Sequence, residues 1–269
     1  MLVMALFPVY ELFAQEMQKS KHNNLKLAFE FGANFAEGRL VKPEQIRENH
    51  SYGTYNYGYF GDYNHLNTTY FGIKPEYFVF NNRVGIASGL RFTVAKSELA
   101  SNRDNYLWKL SEDGLYTDYV SIKDIKHRSY LLGVPVEIRI FPNNRELPFQ
   151  HYFTLGASFN FSVYSENEIN FANKSMEIHN DLVHSQLASN NIFSSFLYGA
   201  IGFKIGKTKE GRFIPWGNID FVFPYFMLSD KTFSFVTSYD DSPLSFGMGI
   251  QLSLQIPIGK NVPMGSKTN

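Results

Sequence analysis

The chain has 269 residues, 25 Lys+Arg against 25 Asp+Glu, no cysteine, 17% aromatic residues and 19% charged residues. A neutral balance argues against a protein held to nucleic acid by phosphate neutralisation, and zero cysteines exclude both a disulfide scaffold and a thiolate metal site. No run of about 18 apolar residues exists, which excludes a membrane-spanning helix; the aromatic load of 26 Phe and 17 Tyr is high for an ordinary soluble domain.

Residues Leu2 to Ala14 (LVMALFPVYELFA) are a short apolar run followed by polar sequence from Gln15. They read as the end of a secretory signal peptide, so residues 1–15 are expected to be a signal segment and 16–269 one domain. No basic residue precedes the run, as expected if the start codon lies upstream.

Strict period-2 alternation begins at Leu25. In LKLAFEFGANF, Leu25, Leu27, Phe29, Phe31, Ala33 and Phe35 share one face, with Lys26, Ala28, Glu30, Gly32 and Asn34 on the other. Six further strands are predicted near 68–80, 84–96, 127–141, 150–164, 192–206 and 213–228, and an eighth near 244–258. The links at Asn81-Asn82, Pro142 to Pro148 and Lys207 to Arg212 are short and rich in turn residues. Those at 36–67, 97–126, 165–191 and 229–243 are long, so the long loops gather at one end of an up-and-down meander.

A soluble lipocalin-like ligand carrier would also have eight strands, with its apolar face inside. Here the non-apolar face holds Ala28, Gly32, Gly85, Ala87, Gly89, Gly156, Ser158, Ala200, Gly202, Gly247 and Gly249. Small residues suit the interior of a narrow barrel, and the opposite face is bulky and aromatic. The expected fold is therefore all-β: an eight-stranded antiparallel up-and-down transmembrane β-barrel with long extracellular loops and short periplasmic turns. That predicts the bacterial outer membrane, the N-terminus on the periplasmic side, and membrane lipid as the surrounding partner. Another envelope protein or a surface glycan would meet the loops. No cofactor is called for.

The end FAQ, the strand pair FGIKPEYFVFNNRVGIASGLRF, the strand YLLGVPVEIRIF and the final LSFGMGIQLSLQI together resemble the Bacteroidetes outer-membrane β-barrel family that includes PorT-like and porin-family proteins. The resemblance implies a barrel and its location. Some members of that family are implicated in assembling the type IX secretion apparatus.

Parity sends Lys26, Glu30, Lys74, Glu76, Arg91, Glu137, Arg139, Lys204 and Asp220 to the lumen, where four acids and five bases must pair because an isolated buried charge costs several kcal/mol. A salt-bridged plug is the expectation, with a proton or ion pathway as its rival. His127 and Ser129 share one face of the fourth strand, an arrangement that suits a Ser nucleophile and His base of a lipid A deacylase-like enzyme. Glu137 would lie ~26 Å from Ser129, too far to orient the base. A loop acid such as Glu112 or Asp124 would be required. His22, His50, His65, His151, His179 and His184 are scattered without metal-ligand spacing. The loop sequence SYGTYNYGYFGDYN offers Tyr52, Tyr55, Tyr57, Tyr59, Phe60 and Tyr63 as a surface contact or as part of an aromatic girdle.

Overall fold

Alternation along a strand gives its two faces different surroundings. A computed structural model describes residues 25–37, 39–40, 45–47, 62–63, 65–80, 83–101, 105–113, 116–142, 150–187, 193–209, 212–227, 236–237 and 247–257. Its strands are β1 (Leu25–Glu37), β2 (Arg39–Leu40), β3 (Asp62–Tyr63), β4 (His65–Val79), β5 (Val84–Ser88), β6 (Leu90–Ser101), β7 (Tyr106–Asp113), β8 (Tyr116–Ile140), β9 (His151–Phe171), β10 (Phe193–Lys209), β11 (Arg212–Met227), β12 (Val236–Thr237) and β13 (Gly247–Pro257). Between β9 and β10 lie a 3-10 turn (Lys174–His179) and a helix α1 (Asn180–Leu187).

The main sheet is antiparallel and closes on itself. β1 pairs with β4 on one side and β13 on the other. The circuit runs on through β5 and β6, β8, β9, β10 and β11 back to β13. β5 and β6 keep one register against both β4 and β8, so they are collinear segments interrupted only at Gly89. There a Cβ would collide with the Ile73 carbonyl oxygen and the Lys74 Cα, so the close approach of the two backbones requires glycine. β2 pairs separately with β12.

Around the circuit the outward face is apolar and exposed. Leu90 is 61% exposed and Leu155 64%, with Phe31, Phe71, Phe153, Phe221, Ile250 and Leu254 beside them. The inward face is polar or small, and large rings fill the space over the small residues. Tyr70 stands directly opposite Gly32 and Tyr198 opposite Gly156, each ring occupying the volume that a Cβ on the glycine would need. Tyr152 over Gly202 and Tyr225 beside Gly247 repeat the seat. The aromatic excess is therefore shared between the outer wall and the lumen.

Two of the predicted long loops are substantially regular structure. Residues 97–126 continue β6 to Ser101, form β7 and begin β8, which is 25 residues long. The cause is a second alternating hairpin, paired as far as Asp113 against Tyr116, that buries Tyr106, Trp108, Val120 and Ile122. Residues 165–191 extend β9 to Phe171 and then form the 3-10 turn, capped by the Asn173 side chain accepting from the Ser175 N–H at 3.3 Å, and α1. Leu99, Trp108, Ile122, Ile125 and Val183 make a hydrophobic core at this end. Trp108 Nε1 donates to Gln186 Oε1 at 2.6 Å, and Gln186 Nε2 donates to the Leu110 carbonyl at 3.1 Å, which fastens α1 to the hairpin. Among the described residues no helix is long and apolar enough to cross a membrane.

Candidate functional site

Six staves of the ring deliver charges to its interior: Lys26 and Glu30 from β1, Lys74 and Glu76 from β4, Arg91 from β6, Glu137 and Arg139 from β8, Lys204 from β10 and Asp220 from β11. Lys26 is half-buried and the other eight are buried, with Lys74, Glu76, Glu137 and Arg139 at 0% exposure. Glu137 is the hub. Its Oε1 accepts from Lys74 Nζ at 2.6 Å and from the Tyr198 hydroxyl at 2.7 Å, and its Oε2 accepts from Arg139 at 2.9 Å. Glu30 accepts from Lys74 at 2.7 Å and from Arg91 Nε and Nη2 at 2.7 and 3.0 Å.

Arg139 also donates to Glu76 at 3.3 Å and lies 3.9 Å from Asp220, while Glu76 receives a 2.6 Å bond from Gln255. Gln251 links Tyr70, which donates to it at 3.0 Å, with Asp220, to which it donates at 3.5 Å. Lys204 Nζ sits 4.3 Å from the centre of the Phe141 ring, and Lys26 donates to Gln255 at 3.3 Å. These bonds join strands that do not pair with one another, so the network crosses the lumen. Breaking one buried pair leaves its partner uncompensated, typically at about 3–5 kcal/mol. Tyr70, Tyr198, Gln251 and Gln255 were not singled out from the sequence; their inward parity was the available signal.

Above this network, on the inward face of β8, Ser129 Oγ lies 2.7 Å from His127 Nε2. His127 Nδ1 lies 2.6 Å from Asn167 Oδ1. An amide oxygen only accepts, so Nδ1 carries the proton and Nε2 is left to accept from Ser129. The orienting group is thus Asn167 of β9, directly opposite His127 in register, and not the loop acid expected from the sequence. Asp124 instead accepts from Asn170 at 2.7 Å, and Glu112 belongs to β7. Only pairing of β8 with β9 reveals Asn167, which is why local spacing missed it. Ser129 is 1% exposed.

His65 opens β4, His151 opens β9, His179 ends the 3-10 turn and His184 lies on α1; His22 and His50 fall outside the described residues. So do Tyr52, Tyr55, Tyr57, Tyr59 and Phe60, whereas Tyr63 is on β3. A cavity of about 440 Å³ opens beside His127, between Lys96, Lys126 and Arg128.

No protein-family model matches the chain. No curated protein matches it either. Among solved structures, the chain is similar to Ail, the attachment invasion locus protein of Yersinia pestis, solved in complex with the heparin analogue sucrose octasulfate. Identity is 10%, the match covers 86% of this chain and 96% of that one, and the TM-score is 0.24, a likeness too slight to carry an argument about either fold or function.

Proposed function

We propose that this protein is a non-enzymatic outer-membrane β-barrel of eight staves, β5 and β6 counting as one, whose lumen is plugged by its own side chains. Its role is structural, assembly-accessory or surface-binding. The observation that carries this reading is the inverted wall: a closed antiparallel ring with bulky apolar residues outside and buried charges inside. A soluble monomer rarely exposes an apolar patch larger than about 300–600 Å², and a closed ring is the β-architecture that leaves no backbone group unpaired in lipid. From Tyr130 to Ile140 the wall of β8 runs ~33 Å along the strand. At a tilt of about 40° that is ~25 Å of height, the apolar band of such barrels. Short connections then face the periplasm with the N-terminus, and the end carrying α1 faces outward.

The test is extraction and gel migration. The protein should leave membranes only with detergent and migrate differently when unheated; release by buffer alone would sink the barrel reading in favour of a soluble carrier. For the plug, planar-bilayer recordings of Glu137→Gln should remain silent, whereas a large open-state current would indicate a gated pathway. The Tyr-rich segment is proposed as a contact for another envelope protein or a glycan. Deleting residues 51–64 should reduce cell-surface binding or complex assembly.

The relay of Ser129, His127 and Asn167 supports a second reading, a lipid-modifying hydrolase. Ser129 Oγ would attack an acyl carbonyl, pass its proton to His127 Nε2 and release the alcohol with that proton; a water deprotonated by His127 would then hydrolyse the acyl–Ser129 ester, freeing the fatty acid and returning the proton to Ser129. Its hydroxyl is covered and faces the lumen rather than the lipid, so the non-enzymatic reading is preferred. Purified protein that frees fatty acid from radiolabelled lipid A, and loses this activity in Ser129→Ala, would reverse that preference.

A further inference from the structure

Beyond the ring, β8 and β9 continue as an antiparallel pair, from Tyr130 opposite Tyr164 to Ile122 opposite Phe171. β10 begins only at Phe193, opposite Phe161, so among the described residues no strand lies along the outer side of β9 from Val163 to Phe171. The other side of this sheet is closed by the chain itself. Ile46 bridges to Trp108 of β7, the Arg47 N–H donates to the Leu107 carbonyl at 3.0 Å, and the Lys109 N–H donates to the Gln45 carbonyl at 2.8 Å. The chain after β9 leads away from the open side. Met176 Sδ accepts from the Ser121 N–H at 3.3 Å, Val183 is buried with Trp108 and Ile122, and Gln186 is bonded to Trp108 and Leu110, so the 3-10 turn and α1 cross β8 toward β7. Val163 and Tyr164 are 68% and 57% exposed. The open edge is ~30 Å long, and the main-chain N–H and C=O groups of such an edge are a template for one more strand.

Two rows of charge end at this edge. Arg128 stands opposite Glu166, which accepts from it at 2.8 Å. In the next row Glu98 stands opposite Lys126, and Lys126 opposite Glu168. Both rows therefore reach the open side on a carboxylate. Opposite charges on facing strands stabilise the pair and like charges destabilise it, so a strand added beside β9 is favoured when it sets Lys or Arg opposite Glu166 and Glu168, two positions apart. Arg128 and Tyr130 both reach Glu166 through Oε1. A carboxylate accepts through two oxygens, so a cation arriving from the open side need displace neither.

We propose that the outer edge of β9 takes up an extended basic segment of another cell-surface protein as an added strand, with Lys or Arg at alternating positions facing Glu166 and Glu168. Main-chain hydrogen bonds supply the affinity of such a pairing, and the side chains on the added strand supply its selectivity. This inference deepens the surface-binding role proposed above and rests on that reading, in which this end faces outward.

The test is fluorescence anisotropy of the full chain in detergent with a labelled peptide of about ten residues that alternates lysine and threonine, long enough to span the edge. It should bind about tenfold more tightly than its glutamate–threonine counterpart. E166Q/E168Q should erase that preference, while E177Q, at an exposed residue of the 3-10 turn, should leave it intact. A strand offers its amides alternately to its two sides, so N-methylation of every second amide should abolish binding in one phase and spare it in the other. Equal binding of the two methylated peptides would show adhesion by charge alone and overturn the proposal, as would an unchanged preference in E166Q/E168Q that still shows heat-modifiable migration. A peptide-free dimer in detergent that excludes the peptide would assign the edge to a second copy and overturn it too. Failure of the membrane reading is seen separately, as protein that needs no detergent.

Discussion

Strand β8 belongs to two regions that obey opposite rules. From Tyr130 to Ile140 its outward residues are Leu132, Val134, Val136 and Ile138, and its inward ones include Glu137 and Arg139. From Val120 to Arg128 the buried positions hold Val120, Ile122 and Ile125 beside Asp124 and His127, while Lys126 and Arg128 face out. The same period of two thus describes a wall with its apolar residues outside and a cap with its apolar residues inside. The change falls between Arg128 and Tyr130, where the outward residues pass from charged to aromatic and apolar. The ring hides its charges in the lumen, whereas the cap hides its hydrocarbons between hairpin and helix.

The largest test of that contrast is Glu137→Ala, which removes the acceptor shared by Lys74, Arg139 and Tyr198. It should cost about 3–5 kcal/mol, read as a lower denaturant midpoint of the detergent-folded protein. Trp108→Ala, a similar change by size, should cost about 3–5 kcal/mol but in the cap alone. Limited proteolysis should then cut between residues 101 and 125 while heat-modifiable migration persists; loss of both together would mean that the two regions are one cooperative unit. Val134→Arg probes the wall near mid-height. In lipid it should cost about 2–4 kcal/mol, against the near-neutral effect expected if that half-exposed position met water. At the small end, Ile178→Ser on the 3-10 turn, where the side chain is 82% exposed, should stay within about 0.5 kcal/mol by the same unfolding assay.

The network and the relay differ in how far sequence reasoning reached them. Parity is local, so counting from Leu25 or Leu244 is enough to separate wall from lumen and to nominate Glu30, Lys74 and Glu137 as inward. Counting along one strand says nothing about which residue on the next strand stands opposite. Asn167 lies 40 positions from His127 in the chain and 2.6 Å from it in space. The β7–β8 hairpin lies in a stretch that the sequence marks as a long loop able to double back as an extra pair of strands, because its alternation is short and interrupted by a register shift between Lys109 and Ser111.

By itself the sequence determined the strand-forming period, the polar face and the short turns at one end, because each depends on neighbours a few residues apart. Tertiary structure alone decided the partners: Tyr70 seated over Gly32, Tyr198 over Gly156 and bonded to Glu137, and His127 opposite Asn167. Those are consequences of register between strands far apart in the chain, where a shift of one residue would move every side chain to the opposite face.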